Sequence, residues 1–240
     1  RDHVTSDRTV RTMELPERGQ QWVDAQPDRF RRYLDAFVAG MNAYAEAHPD
    51  RLSTSRTQVL PVQASDVFSH ILRAIHVSFL ARGELEHAQS WGGHVGSNAW
   101  AVGPSRSASG HALLLANPHL PWSDLFTWFE AQLRGPNIDA YGAALIGMPF
   151  PGIAFNDHLG WTHTVNPMDG ADLYELRLTE EGYVWNDTTK AFETELKTLK
   201  IRQGNGSMRT DTLVVRRSVH GPVVAQEGNN ALALRVVGLE

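Results

Sequence analysis

The stretch that decides the fold is Gly96-Ser97-Asn98-Ala99-Trp100, which continues as Ala-Val-Gly-Pro. A small residue precedes a hydroxyl and a carboxamide, and small and large side chains then alternate. Alternation with a period of two predicts a strand. Helical patterns dominate before this stretch and strand patterns follow it, so we place a boundary between Gly96 and Ser97.

Upstream of the boundary the sequence predicts two helices. The first has an apolar stripe with the 3.6-residue period of a helix, formed by Phe30, Tyr33, Leu34, Phe37, Val38, Met41, Tyr44 and Ala45. The second is predicted over residues 65–80, with Ser65 as its N-cap and Asp66 in its first turn. Residues 1–28 are polar and weakly patterned, and residues 83–96 form a polar, glycine-bearing loop.

Downstream of the boundary, short runs typical of strands alternate with turn residues. Residues 100–102 and 112–116 flank a glycine-bounded connection at 103–110, which predicts a β-hairpin. Further strands are predicted at 126–134, 141–145, 152–156, 160–166, 174–178, 193–201, 212–217, 223–225 and 231–237. Runs at this spacing are typical of antiparallel sheets, so we expect an α+β protein.

Composition narrows the class of protein. The 240 residues carry a formal net charge of −5, which gives no support for nucleic-acid binding. No apolar run approaches the roughly 18 residues of a membrane span. The absence of cysteine excludes disulfides, thiolate metal sites and cysteine nucleophiles. Both ends have the character of cut ends, and we expect a piece of a longer polypeptide.

Six motifs then occur in order. They are Gly96-Ser97-Asn98-Ala99-Trp100, Asn117-Pro118-His119-Leu120-Pro121-Trp122, Glu130-Ala-Gln-Leu, Gly147-Met-Pro, Gly160-Trp161-Thr-His-Thr-Val165-Asn166 and Val219-His220-Gly221-Pro222. In this order the chain closely resembles the penicillin acylase family of N-terminal nucleophile hydrolases. That family includes penicillin, cephalosporin, acyl-homoserine-lactone and aculeacin acylases. The resemblance covers residues 97–240 and extends upstream through Ala39-Gly40-Met41-Asn42-Ala43-Tyr44.

The resemblance implies a fold and a domain organisation. The fold would be a four-layer αββα sandwich with small-subunit helices around it. Residues 1–82 would belong to the small subunit, and 83–96 would be a spacer ending at the autocleavage site Gly96–Ser97. Residues 97–240 would be the N-terminal part of the large subunit. The two subunits would come from one precursor and form a heterodimer.

The resemblance also implies catalytic roles. Ser97 would be the nucleophile, and its own α-amine, with an ordinary pKa of about 7.7–8.0, would be the base. His119 matches the position that contacts the nucleophile. The backbone N–H of Val165 would form half of the oxyanion hole, and the family's second donor, an Asn side chain, would lie beyond Glu240.

Other polar residues have supporting roles in this interpretation. Asn98 and Asn117 would hold backbone turns around Ser97, and His163 would pack near the site. Asp169 and Asp172 match two carboxylates that bind a structural calcium in the penicillin G branch, and oxygen ligands suit Ca²⁺. Glu84 or Glu86 would be a further ligand. No organic cofactor is implied.

The acyl pocket determines which substrate the resemblance favours. Its candidate lining residues are Trp128, Phe129, Met148, Phe150, Ile153 and Trp161. In the glutaryl-cephalosporin branch an arginine after Gly-X-Pro pairs with the acyl carboxylate. Gly152 occupies that position here, and an unpaired buried carboxylate would be destabilising. We therefore expect an apolar acyl chain.

Three functions remain open at this point. The first is an autoprocessed serine acylase that removes an apolar acyl chain from an amine, such as an acyl-homoserine lactone or a lipopeptide. The second is a β-lactam (penicillin or cephalosporin) acylase. The third is a truncated or non-catalytic relative. For the two enzymes the partner is a small-molecule acyl amide, with no nucleic acid and no membrane span. A periplasmic or secreted location is implied by the family.

Overall fold

The computed structural model of the chain describes residues 3–53, 57–87, 96–166 and 169–239. Its α-helices are α1 (His3–Thr12), α2 (Leu15–Asp24), α3 (Asp28–Ala47), α4 (Ala64–Leu72) and α5 (Arg82–His87). Its strands are β1 (Gly96–Val102), β2 (Leu113–His119), β3 (Trp128–Gly135), β4 (Ile138–Leu145), β5 (Ile153–Phe155), β6 (Gly160–Trp161), β7 (Ala171–Arg177), β8 (Tyr183–Trp185), β9 (Thr188–Lys190), β10 (Glu193–Arg202), β11 (Met208–Ser218), β12 (Gly221–Glu227) and β13 (Asn230–Val236). The predicted α+β class is confirmed. Within the described ranges, no helix has the length and apolar character needed to cross a bilayer.

The chain divides into two compact units. The hairpin unit comprises Gln26–Ile71 and Gly93–Met168, and it contains the β1–β2 hairpin and the four-stranded sheet β3-β4-β5-β6. The five-strand unit comprises Arg1–Ala25, Leu72–Gly92 and Asp169–Glu240, and it contains the sheet β10-β11-β12-β13-β7. All paired strands are antiparallel, as predicted. Each unit combines segments from before and after Ser97.

The helix predicted from the apolar stripe is confirmed as α3, which buries Leu34, Val38 and Ala45. The ring of Phe30 lies 6.5 Å from that of Phe68, between centroids. The side-chain amide of Asn42 donates to the Val62 carbonyl and accepts from the Val62 N–H, at 2.9 and 2.8 Å. The polar residue within the Ala39–Tyr44 motif therefore fixes the connector that leads to α4.

The second predicted helix is present, but its start and its second half differ from the prediction. The helix α4 begins at Ala64, so Ser65 lies inside it and is not the N-cap. The Asp66 carboxylate accepts the Gln63 N–H at 2.8 Å and fixes the earlier start. Residues Arg73–Leu80 continue as a π-helix, and the Ala81 N–H bonds to the carbonyl of His76, five residues back.

Several elements were not predicted. The weakly patterned N-terminus forms α1 and α2, of which α1 buries no residue and α2 buries only Leu15 and Gly19. Part of the predicted loop at 83–96 is α5, and residues 88–95 lie outside the described residues. The β8–β9 hairpin turns at Asn186 and Asp187, which both have positive φ as a type I′ turn requires. The strand predicted at 160–166 is only the two residues of β6.

The core of the five-strand unit joins residues that are distant in the sequence. Its main apolar cluster consists of Met13, Leu15, Leu72, Ala81, Ala171, Leu234, Val236 and Leu239. A second cluster consists of Leu176, Tyr183, Ala231 and Ala233. The first cluster takes four members from before Ser97 and four from after it, so both parts of the chain are needed to complete it.

One buried histidine of this unit is expected to make the stability of the protein depend on pH. His76 is buried, its ring meets Trp22 edge-on at 6.0 Å, and burial lowers its pKa below the ordinary 6.5, with the Arg18 charge lowering it further. The folded state therefore binds this proton less readily than the unfolded chain. Stability contributed by neutral His76 is present above pH 6.5 and is lost as the pH falls through the lowered pKa.

We expect the His76→Phe variant to have a flatter dependence of unfolding free energy on pH than the wild type between pH 7 and pH 5. Phenylalanine keeps an apolar ring beside Trp22 and has no proton to bind. Urea unfolding at pH 5, 6 and 7 measures the difference, with His111→Phe at an exposed position as the matched control. Equal pH dependences in wild type and His76→Phe would contradict the assignment.

Candidate active site

The pairing of β1 with β2 places Ser97 beside the motif that contains His119. Gly96 lies opposite His119 in the register, and Ser97 lies opposite Pro118. A Cβ built on Gly96 would lie 3.7 Å from Nδ1 of His119. The imidazole therefore lies next to the Gly96–Ser97 peptide bond, although 22 residues separate the two in sequence.

The hydroxyl of Ser97 is directed at the peptide group that precedes it. Its Oγ donates a hydrogen bond to the carbonyl oxygen of Gly96 at 2.6 Å. Both residues are half-buried. The hydrogen bond keeps the hydroxyl within reach of the Gly96 carbonyl carbon, which is the atom that an attacking Ser97 Oγ would have to approach.

Asn98 and Asn117 were predicted to hold turns around Ser97, but neither of them lies in a turn. Asn98 on β1 is directly opposite Asn117 on β2, and both are exposed. Both belong to strands, so the predicted role in holding turns around Ser97 is wrong. His163, which we expected to pack near the site, is exposed.

The segment that follows β6 contains Val165. Residues 162–166 have no regular secondary structure, and Val165 is half-buried. In the same segment Oγ1 of Thr162 is buried and has no hydrogen-bond partner. An irregular segment leaves backbone N–H groups outside any sheet ladder, which is a requirement for an oxyanion donor. The role of Val165 in an oxyanion hole stays a prediction.

Several predicted pocket residues meet on the sheet of the hairpin unit. Trp128 begins β3, and a Cβ built on Gly152 would lie 3.6 Å from its ring. The indole Nε1 of Trp128 is buried without a hydrogen-bond partner. Trp161 on β6 lies opposite Ala154 of β5, and its Nε1 donates to the Pro151 carbonyl at 3.2 Å. The two indoles and the segment around Gly152 thus form one local cluster.

The other predicted pocket residues differ in exposure. Met148 is buried, Ile153 is half-buried, and Phe129 and Phe150 are exposed. Two cavities within the described residues, of about 260 and 420 Å³, both lie in the five-strand unit and are lined by none of the predicted pocket residues. The acyl pocket stays a prediction.

A residue that the sequence analysis passed over fixes this segment. His70 on α4 donates from Nε2 to the carbonyl of Ile146 at 2.8 Å. Gly147 follows with φ +84°, and a Cβ there would lie 2.9 Å from the His70 ring. His70 therefore holds the turn that leads to Met148. Because 76 residues separate the partners, no local sequence pattern signals the contact.

The candidate calcium ligands lie at the start of β7. Asp169 and Asp172 are both exposed, and Asp172 is opposite Arg235 of β13. Calcium takes six to eight oxygen ligands. Over the described ranges, no group of three or more His, Asp or Glu side chains could hold a metal ion. The two carboxylates alone do not complete a calcium shell. Glu84 Oε2 is buried without a partner, and the side chain of Glu86 lies outside the described residues.

The Val219-His220-Gly221-Pro222 motif forms the turn between β11 and β12. The ring of His220 stacks on Tyr174 at 3.8 Å and meets Trp185 edge-on at 5.0 Å. Burial lowers the pKa of His220, and the charge of Arg235 lowers it further. The motif is thus a packed corner of the five-strand unit.

The sequence of this chain matches a known protein family and several of its members. The sequence model of the penicillin amidase family matches residues 1–240. Acyl-homoserine lactone acylase PvdQ of Pseudomonas putida is 32% identical over 95% of this chain and 34% of its own length. Acyl-homoserine lactone acylase QuiP of Pseudomonas aeruginosa is 32% identical over 60% of this chain and 16% of its own length. The chain therefore spans about a third of PvdQ.

A solved structure also resembles the chain. The thermostable penicillin G acylase of Alcaligenes faecalis superposes with a TM-score of 0.51 and 22% sequence identity. The superposition covers 57% of this chain and 25% of that protein. At this identity the likeness shows a common fold, and it agrees with the fold class predicted from the sequence.

Proposed function

This chain belongs to the penicillin amidase family, and from that premise we propose that it carries the nucleophile of an autoprocessed serine-type amide hydrolase. The observation that carries the proposal is the position of Ser97 Oγ, 2.6 Å from the carbonyl oxygen of Gly96 and in the hairpin that also holds His119. A single hydroxyl so placed can first cut the peptide bond before it and then attack a substrate amide.

The first step is cleavage of the Gly96–Ser97 bond. Ser97 Oγ forms a bond to the Gly96 carbonyl carbon, the C–N bond breaks, and the Oγ proton goes to the Ser97 nitrogen. Water then hydrolyses the ester and leaves a Gly96 carboxylate and a free Ser97 amine. No α-amine exists before this step, so another group must take the first proton, and the neighbouring His119 imidazole is suited to this role.

The second step is turnover by the new N-terminus. The free α-amine has an ordinary pKa of about 7.7–8.0, so a substantial neutral fraction can accept the Ser97 proton near neutral pH. Attack on the substrate amide forms an acyl-enzyme and releases the amine, and water then frees the acid. We propose that the Val165 N–H stabilises the oxyanion together with an Asn side chain from the remainder of the enzyme.

We propose an apolar acyl chain as the group removed. Residues 135–176 contain no lysine or arginine, so this segment offers no cation to an acyl carboxylate. Gly152 lies against the ring of Trp128, which leaves an aromatic surface where a glutaryl-specific relative would have an arginine. The amine half is assigned from the relatives named acyl-homoserine lactone acylases. A β-lactam substrate is the alternative, favoured by the fold shared with a penicillin G acylase.

The assembly and location follow the same family premise. We propose that cleavage leaves a heterodimer of a small subunit ending near residues 83–96 and a large subunit that begins at Ser97. A periplasmic or secreted location and a structural calcium at Asp169 and Asp172 stay predictions. No catalytic step depends on the metal ion.

The substrate assignment predicts a clear ranking. We expect the processed full-length enzyme to release homoserine lactone from decanoyl-homoserine lactone at least about tenfold faster than it releases the amine from penicillin G. The reason is that the aromatic surface of Trp128 beside Gly152 suits a flexible apolar chain. Mass spectrometry of the free amine measures both reactions, with Ser97→Ala as the blank. Faster cleavage of penicillin G would favour the β-lactam alternative, and release from neither would favour a non-catalytic relative.

A further inference from the structure

A group of charged side chains in the five-strand unit surrounds the buried residue Lys197. The Lys197 side chain is only 6% exposed, although it belongs to strand β10. Its Nζ donates to Glu17 Oε1 at 2.6 Å and lies 3.7 Å from Glu14 and 3.6 Å from Glu195. A buried ammonium is tolerated only with such partners, because removing a charge from water is costly.

Two arginines complete this site. Arg217 on β11 contacts the Glu14 carboxylate and lies 3.5 Å from that of Glu195. Arg18 on α2 lies 4.0 Å from Glu14, and its Nε donates to the Met13 carbonyl at 3.1 Å. We name the six side chains the charge cluster, and they are Glu14, Glu17, Arg18, Glu195, Lys197 and Arg217. The cluster contains three cations and three carboxylates.

The charges are divided unequally between the two parts of the chain. The segment before Ser97 contributes two carboxylates and one cation, from Glu14, Glu17 and Arg18. The segment after Ser97 contributes two cations and one carboxylate, from Lys197, Arg217 and Glu195. The three side chains before Ser97 therefore have a negative net charge, and the three after it have a positive net charge. Opposite net charges on two facing surfaces are the electrostatic complementarity found at specific interfaces.

The surroundings strengthen these pairs. Met13 and Leu15, on either side of Glu14 in the sequence, are 4% and 0% exposed in the main apolar cluster of the unit. Burial tends to raise the pKa of Glu17, but the hydrogen bond and charge of Lys197 outweigh it and hold that pKa below the ordinary 4.5. Glu17 is therefore ionised at neutral pH, and the ion pair with Lys197 is formed.

We infer that the charge cluster is the docking site that holds the N-terminal fragment, ending at Gly96, on the sheet of the fragment that begins at Ser97. The inference rests on the proposed function, because only cleavage makes these contacts intermolecular. The partner is thus the chain's own helices α1 and α2. A second ion pair, Arg8 to Asp211 at 2.5 Å, connects α1 to β11 in the same way.

The experiment uses the full-length processed enzyme, immobilised through a tag on the large fragment and washed with urea at a fixed concentration. Release of the N-terminal fragment is followed by mass spectrometry. We expect Lys197→Met to release the fragment at least about tenfold faster than the wild type. The expected acceleration is modest because Glu17 and Glu195 are half-exposed, and solvent weakens their ion pairs with Lys197. Lys200→Met, at an exposed position of the same strand, is the matched control and should behave as the wild type.

A charge exchange separates docking from general packing. Glu17→Lys and Lys197→Glu should each accelerate release, and the double variant should recover part of the wild-type retention because the pair is restored with reversed signs. If Lys197→Met does not fold, Glu17→Gln provides the test at a more exposed position. Equal release from wild type, Lys197→Met and Glu17→Gln would overturn the inference.

A failure of the proposed function can be distinguished from a failure of the docking site. A chain that never yields a fragment beginning at Ser97 would contradict autoprocessing. The docking site can then still be tested by placing a recognition sequence for an added protease within residues 88–95 and cutting there. Faster release from Lys197→Met after that cut would support the docking site without autoprocessing, and unchanged release would reject it.

Discussion

The Ser97→Ala variant is expected to remain a single uncleaved chain and to lose acylase activity by about 10⁴-fold or more, because one hydroxyl serves both reactions. Alanine removes the Oγ that donates to the Gly96 carbonyl and leaves the backbone of β1 unchanged. Intact-mass measurement detects cleavage, and release of free amine measures turnover.

Two further variants make this result specific. Ser97→Cys should retain part of the cleavage, because a thiol is an intrinsically strong nucleophile. Ser105→Ala, at an exposed position after the same strand, should process and turn over as the wild type. A Ser97→Ala chain that is still cut between residues 96 and 97 would show that another group attacks this bond.

The Gly221→Ala variant is expected to lose at least about 3 kcal/mol of stability, which is a large fraction of the roughly 5–15 kcal/mol by which a typical native domain is stable. Gly221 has φ +126°, a conformation that L-residues rarely adopt. A Cβ there would lie 2.2 Å from the backbone carbonyl oxygen of Leu234. Leu234 is 1% exposed in the main apolar cluster, so its backbone cannot move away from the added Cβ without disturbing that cluster.

Urea unfolding and the soluble yield measure this loss. Gly204→Ala is the matched control, since a Cβ at Gly204 meets no atom within 4 Å and its φ lies outside the left-handed region. We expect that control to change stability by about 0.5 kcal/mol or less. A Gly221→Ala protein as stable as the control would mean that β12 and β13 separate more readily than their register indicates.

The elements that the sequence predicted well are those whose signal is local. The apolar stripe of α3 and the alternation that flanks residues 103–110 each lie within one element or one hairpin. The N-terminal helices lacked such a signal, since α1 buries nothing and α2 buries only two residues. These helices are held by partners far along the chain, such as Lys197 for Glu17, 180 residues away.

The candidate active site also combines residues that have a local sequence signal with residues that have none. Ser97 and His119 were predicted from motifs, and the antiparallel pairing of β1 and β2 explains how they come together. His70 was not predicted, because its partner Ile146 lies on a segment reached only by folding. The motif of Val219 to Pro222 was recognised, but its structural role was not, because the close approach to Leu234 has no trace in the local sequence.

The sequence by itself therefore determined the family, the α+β class and the identity of the candidate nucleophile, because these depend on residue types in a fixed order. The tertiary structure alone decided where the hydroxyl of Ser97 is directed, which histidine holds the segment before Met148, and why Gly221 must be glycine. It also brought Glu14 and Glu17 to Lys197 and Arg217. Contacts of this kind depend on how strands and helices pack, and packing joins residues whose separation in the sequence carries no local pattern.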